Sequence, residues 1–201
     1  MIRMKTLLLL IVCACLLTTL GCGRSVKRIS PDEVTDLSGY WNDTDSRLVS
    51  EEMISDCLNG RWKDEHQRQK GTRPTVIVGM IRNKSTEHIA IETFTGDIER
   101  AFINSGEVLM VASAEEREQI REERADQHSY ASDETIKEWG KEKGADYMLG
   151  GVINSIIDQV KGEKVVYYQV DLTLIDLETN SKVWAGQKKI KKFIDNPGYG
   201  L

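Results

Sequence analysis

Residues 165–175 alternate almost without exception, and that pattern most constrains the fold. Val166, Tyr168, Val170, Leu172 and Leu174 occupy one set of positions, and Tyr167, Gln169, Asp171 and Thr173 the other. Successive side chains of an extended strand point to opposite faces, so this segment is a strand with one face on a core and one wetter face. Residues 146–157 read as a strand before it, joined through the polar turn Lys161-Gly162-Glu163-Lys164. Glu178-Thr179-Asn180-Ser181 then turns the chain into a last strand, from Lys182 to about Ile190. Hairpins of this kind are antiparallel.

The upstream half reads differently. Val49, Met53, Ile54, Cys57 and Leu58 recur at helical spacing behind Asp43 and Asp45 as candidate caps, with Gly60 at the end. Cys57 falls on the apolar stripe and is expected to behave as a small buried hydrophobe. Residues 61–73 are strongly charged and read as a solvated loop. The run 74–81 is nearly continuous and β-branched, which suits a strand buried on both faces. Ile91, Phe94, Ile98, Ala101 and Phe102 share a helical face that ends before Gly106, and residues 108–111 form a short strand. Strand, helix and strand in that order imply a crossover on one sheet face. Residues 115–126 carry six acids and three arginines and read as an exposed helix or loop. Ser132 and Asp133 cap a further helix bearing Ile136 and Trp139, ended by Gly144. The expected fold is α/β, one mixed sheet of four to five strands flanked by helices. Gly150-Gly151, inside a strand, marks a close approach of backbone.

The amino terminus is of another kind. Arg3 and Lys5 precede a short apolar run ending at Leu20, the layout of a secretory signal peptide. That run is shorter than the roughly 20 apolar residues that span a bilayer. Leu20-Gly21-Cys22-Gly23 resembles a lipobox, in which the cysteine thiol receives diacylglycerol and cleavage falls just before it. Cys22 is therefore the expected lipidation site, residues 1–21 the signal peptide, 22–43 a lipid-anchored linker and 44–201 the domain. Tyr40 and Trp41 mark the first contact with the core. After cleavage Cys57 is the only other cysteine, so the mature chain has no internal disulfide to lean on. Gly23 in place of Asp favours the outer membrane over the inner one, so the expected location is the outer membrane, facing the periplasm.

Composition and chemistry narrow the function. Loss of residues 1–21 shifts the net charge from −5 to about −7. An acidic domain does not suit nucleic acid, which is held by Lys and Arg on phosphates. His66, His88 and His128 lie far apart, at no metal-ligand spacing from one another or from Cys57. No phosphate loop or nucleophile elbow is present, and no pair of acids stands out as a catalytic pair. The chain therefore reads as a non-catalytic binding protein, with no catalytic, metal or cofactor residues and no small-molecule substrate. One positive feature remains, Lys188-Lys189-Ile190-Lys191-Lys192. Such a run either holds an anionic partner or guards an exposed edge strand against pairing.

Several motifs together resemble the LpoB family of penicillin-binding protein activators. These are residues 74–85, Ile98-Glu99-Arg100-Ala101-Phe102, Ser105-Gly106, residues 117–123 and residues 143–151. Tyr167-Tyr168-Gln169, residues 172–176 and Val183-Trp184 complete the set. The resemblance implies an α/β domain similar to the amino-terminal domain of TolB. It also implies an outer-membrane lipoprotein that docks on a bifunctional penicillin-binding protein and stimulates its glycan-polymerising and cross-linking activities. The alternative is a peripheral envelope assembly or secretion lipoprotein of the CsgG-like or flagellar kind. Members of the LpoB family from enteric bacteria carry a long proline-rich linker. Here about 20 residues separate Cys22 from the domain, roughly 70 Å when extended and about 25 Å on average when flexible.

Overall fold

The computed structural model describes residues 25–130 and 142–195. The expected signal peptide, Cys22 and the helix expected around Ile136 and Trp139 lie outside them. The chain forms two compact units, Met1–Glu33 and Val34–Leu201. In the first, the Glu33 N–H closes a turn on the Ser30 carbonyl at 3.1 Å. All regular structure among the described residues belongs to the second.

That unit contains helix α1 (Asp43–Leu58), α2 (Trp62–Lys70), strand β1 (Thr75–Lys84), α3 (Ile91–Ser105) and β2 (Leu109–Met110). There follow α4 (Ala114–Tyr130), β3 (Tyr147–Val160), β4 (Glu163–Asp176) and β5 (Lys182–Asp195). The strands make one mixed sheet in the order β2-β1-β3-β4-β5. β1 runs parallel to both β2 and β3, while β3, β4 and β5 are antiparallel. The β1-α3-β2 crossover and the C-terminal hairpins expected from the sequence are both present. β5 extends five residues past the expected end at Ile190.

Register explains the alternation. Leu149 pairs with Leu174, Gly151 with Leu172 and Ile153 with Val170, and all of these point to one face. Val166, Tyr168, Val170, Leu172 and Leu174 are each buried there. α1 and α3 pack on one another, α1 also against β5 and α3 against β1 and β2. Val49, Ile54, Phe94, Ile98 and Phe102 are buried in the same core cluster. Burying such a side chain contributes about 1.5–3 kcal/mol, so this single layer of contacts carries most of the fold.

β1 differs from expectation. Val76, Val78 and Ile81 are buried, whereas Met80 is 76 % exposed and Arg82 and Lys84 lie open. A register shift between Val78 and Ile81 sets Gly79 and Met80 opposite one residue of β3. Thus only the start of β1 is covered on both sides. The near-continuous apolar run overstated its burial, because a bulge turns Met80 outward.

Residues 61–73 also depart from expectation: most of them form α2 rather than a loop. Only two residues of that charged stretch turn inward, Trp62 and His66, one helical turn apart. The Trp62 indole donates to the Cys57 carbonyl at 2.7 Å and meets Tyr147 edge-on at 5.0 Å. The His66 ring lies 3.1 Å from the Tyr147 hydroxyl. Two inward residues are too few to produce a visible stripe. Gly71, at φ 67°, closes the helix in the left-handed conformation. The glycine stop expected for α1, Gly60, works by space instead. A Cβ there would sit 2.8 Å from the Trp62 ring, and the cap of α1 is Asn59.

Cys57 is fully buried, and burial, reinforced by the Asp56 charge, pushes its thiol up to about 12. At neutral pH it is an uncharged core group, as its place on the apolar stripe implied. The Gly150-Gly151 reading also holds at the second glycine. A Cβ on Gly151 would collide with the Asp171 carbonyl and the Leu172 side chain of β4. Gly151→Ala is expected to lower stability by about 1–3 kcal/mol, the usual cost of overpacking a core. Urea unfolding checks this, and a midpoint equal to that of the parent chain would contradict it.

Candidate docking surface and tether clasp

The helices leave the other face of the β3-β4-β5 sheet uncovered along much of its length. β5 shows the division residue by residue. Trp184, Lys188, Ile190, Lys192 and Ile194 are half-buried, while Ala185, Gln187, Lys189, Lys191 and Phe193 are exposed. The lysine run is therefore split by the pleat into two pairs with different neighbours.

Lys188 and Lys192 point to the helix side and bind carboxylates of this same chain. Lys188 pairs with Glu52 of α1. Lys192 lies 2.6 Å from both Asp36 and Asp45 and donates to the Tyr40 carbonyl at 3.1 Å. The Trp184 indole completes the row with a 3.0 Å bond to Asp56. Asp45, Glu52 and Asp56 of α1 thus face Lys192, Lys188 and Trp184 of β5 in order. Lys189 and Lys191 stay on the open face, where among the described residues they pair with no carboxylate. β5 is an edge strand, where lysines can guard against pairing, but the ion pairs of Lys188 and Lys192 within the chain were in neither reading of the run.

The Lys192 cluster fixes more than one strand. Asp45 also accepts from the Asn42 backbone N–H, while the Asn42 side chain accepts from the Asp45 N–H, each at 3.0 Å. That reciprocal pair is the capping box of α1, so the cap is Asn42, and Asp45 is its partner rather than the cap itself. The Asn42 amide reaches back to Asp36 at 2.7 Å. Gly39 adopts φ 71° against Ile194, where a side chain would collide. The Lys164 ammonium sits 4.3 Å above the Tyr40 ring. Trp41 enters the core edge-on to Phe94 and Tyr168, and its backbone N–H donates to Glu87, which also accepts from the Tyr168 hydroxyl at 2.6 Å. Residues 34–41 therefore form a strap clasped to the domain.

On the open face Ile156, Tyr167 and Lys191 form one cross-strand row, and Asp158, Val165 and Phe193 the next. Ile156 is 65 % and Phe193 64 % exposed. Tyr167 bonds Gln169, which in turn bonds Asp171. This is an apolar patch beside two unpaired lysines, with a polar ladder next to it. It offers contact area and charge, the means of holding another surface. Among the described residues no cluster of His, Cys, Asp and Glu is placed to hold a metal ion. His66 is buried against Tyr147 and His88 is exposed, so these two do not converge. The His128 side chain and Cys22 lie outside what is described. The open patch escaped the sequence reading because its residues sit on a face defined only by where the helices pack.

Burial alone would lower the Lys192 pKa, but its bonds to Asp36 and Asp45 outweigh that and hold it above the ordinary lysine value. Its contribution to stability is therefore complete below the unfolded lysine value of about 10.4. It is lost as pH rises through the raised folded value. Lys192→Met is expected to cost about 2–4 kcal/mol at pH 7, because Asp45 is left nearly buried and unpaired. It is also expected to flatten the loss of stability above pH 10. Chemical denaturation at pH 7 and at pH 11 checks both, and an unchanged alkaline slope would contradict the assignment.

Comparison with known proteins places the chain. A family model described as peptidoglycan-synthase activator LpoB matches residues 45–190. No curated protein matches the chain. Among solved structures it is similar to the LpoB C-terminal domain from Escherichia coli, at 15 % identity and a TM-score of 0.45, covering 74 % of this chain and 99 % of that one. The Salmonella enterica LpoB C-terminal domain gives 15 % identity, the same coverages and a TM-score of 0.44. Lipoprotein GNA1162 from Neisseria meningitidis is similar at 15 % identity and a TM-score of 0.38, covering 60 % of this chain and 83 % of that one. The family match runs from the first turn of α1 into β5, across every described helix and strand, and on that extent the chain belongs to the LpoB family of peptidoglycan-synthase activators.

Proposed function

We propose that this protein is an outer-membrane lipoprotein that binds and activates a bifunctional penicillin-binding protein from the periplasmic side. The observation that carries this reading is the family match over residues 45–190, from the first turn of α1 into β5. Residues 1–21 act as the signal peptide and Cys22 carries the lipid. Two or three acyl chains on one cysteine suffice for stable anchoring.

The open face of β3-β4-β5 is the docking surface of this proposal. Its apolar centre (Ile156, Val165, Phe193) supplies buried area and Tyr167 an aromatic anchor, the residue types that dominate binding energy. Lys189 and Lys191 favour an acidic rim on the partner. Activation is then a population shift, with contacts made in the active state of the enzyme and not in the resting one.

The clasp sets the reach. With the chain fixed to the domain from Asp36 onward, the free tether is residues 22–36, about 50 Å at full extension and roughly 20 Å on average. The domain works close to the membrane, and the partner supplies most of the span across the periplasm.

Two measurements test the proposal. Cys22→Ala is expected to leave an unprocessed precursor that incorporates no labelled palmitate; labelling equal to the parent would overturn the anchor. The chain from residue 23 onward is expected to raise glycan polymerisation by a bifunctional penicillin-binding protein of the same organism several-fold. Ile156→Asp and Phe193→Asp should abolish that stimulation at unchanged melting temperature. Absence of binding and stimulation with every such enzyme of the host would favour the peripheral assembly lipoprotein instead.

A further inference from the structure

We propose that a cavity between β2 and α4 binds a small amphiphilic anion, a carboxylate or phosphate carried on an apolar body. The cavity, of about 300 Å³, has Leu109, Met110 and Ile120 as its apolar surface. Arg117, Arg124 and Lys143 supply three positive charges around it. That volume lies at the lower end of the range for ligand pockets, and the mixture of apolar wall and few polar groups is typical of them.

The charge balance favours an anion. Among the described residues Glu142 is the one acid in the lining, and it is already occupied by Arg121, at 2.8 and 2.9 Å. Arg121, supported by Arg117 and Arg124, holds the Glu142 carboxyl below the usual carboxylate range. Among the described residues Arg117, Arg124 and Lys143 pair with no carboxylate. The lining therefore keeps an excess of positive charge inside a domain that is acidic as a whole.

Two polar atoms at this place have no partner. Thr75 begins β1 and is 1 % exposed, its N–H donates to Asp146 at 2.8 Å, and its hydroxyl bonds nothing. The Nε of Arg117 is likewise buried and unpartnered. Buried polar groups are nearly always satisfied, and exceptions point to an absent partner. A ligand oxygen between the two cationic helix residues would accept from Arg117, while the apolar part rests on Met110 and Ile120.

The outside of α4 limits the ligand further. Glu115, Glu116, Glu118, Glu122 and Glu123 are exposed along that helix, and their charge disfavours a polyanion or an anionic membrane surface more than a single small anion. A small anion is not excluded in this way. This inference rests on neither the lipid anchor nor the enzyme partner.

The test is a nuclear magnetic resonance titration of the chain from residue 23 onward, which keeps every described element. Hexyl phosphate and hexanoate serve as probes, with inorganic phosphate and hexanol as head-only and tail-only controls. Expected is saturable binding of at least one amphiphile, with shifts centred on Thr75, Met110 and Arg117, and at least tenfold weaker binding of both controls. Arg117→Gln with Arg124→Gln should weaken it at least tenfold. If that pair lowers the melting temperature by more than a few degrees, Lys143→Gln replaces it, with a loss of about threefold expected. No saturable binding, binding unchanged in the variant, or inorganic phosphate binding as tightly as hexyl phosphate would each overturn the proposal. Shifts confined to the open sheet face would overturn it too.

Discussion

One half-buried lysine of the last strand joins two segments about 150 residues earlier, the strap and the first turn of α1. Lys192, near the end of the last strand, binds Asp36 in the strap and Asp45 in the first turn of α1. Asp45 is at once half of the capping box that starts α1. The same ammonium thereby sets where α1 begins, how it lies along β5 and where the strap stops being free. Glu52 with Lys188 and Asp56 with Trp184 extend the contact along one edge. Pairs at an exposed surface contribute little, whereas Lys192 is 10 % exposed and its partner Asp45 9 %. Removing one member leaves the other charge buried without a counterpart, and such losses are large.

How much of this was legible in the sequence depends on how many residues carry each signal. β4 shows five alternating apolar positions, and its inward face follows from them alone. α3 shows five residues on one helical face, and it too reads directly. α2 presents only Trp62 and His66 to the core amid seven polar or charged residues, so its helix was hidden. The bulge at Gly79-Met80 depends on pairing with β3, which no local pattern contains. The split of the lysine run is legible once β5 is known to be a strand, because period two separates 188 and 192 from 189 and 191. Which pair faces the helices is a tertiary fact. The capping box was in view as Asn42 followed three residues later by Asp45, although an acid at the third position is less familiar than Glu or Gln.

A sheet covered on one side suits a binding module. The packed side needs α1 and α3 for stability, whereas the outer rows of the C-terminal hairpins, polar side chains mixed with Ile156, Val165 and Phe193, lie outside the core. That frees Ile156, Tyr167 and Phe193 for a partner without cost to the core. On the proposed anchoring at Cys22, the strap adds a constraint of its own, since a clasp at Asp36 would keep the domain near the lipid.

The central claim is that the open face of β3-β4-β5, and not the helix face, meets a bifunctional penicillin-binding protein. A photo-reactive amino acid placed at position 191 or at position 188 separates the two faces within one strand. Cross-linking in the native envelope is predicted to capture the enzyme from position 191 and not from position 188. Capture from 188 alone, or from neither position while sites on α4 capture it, would contradict the account.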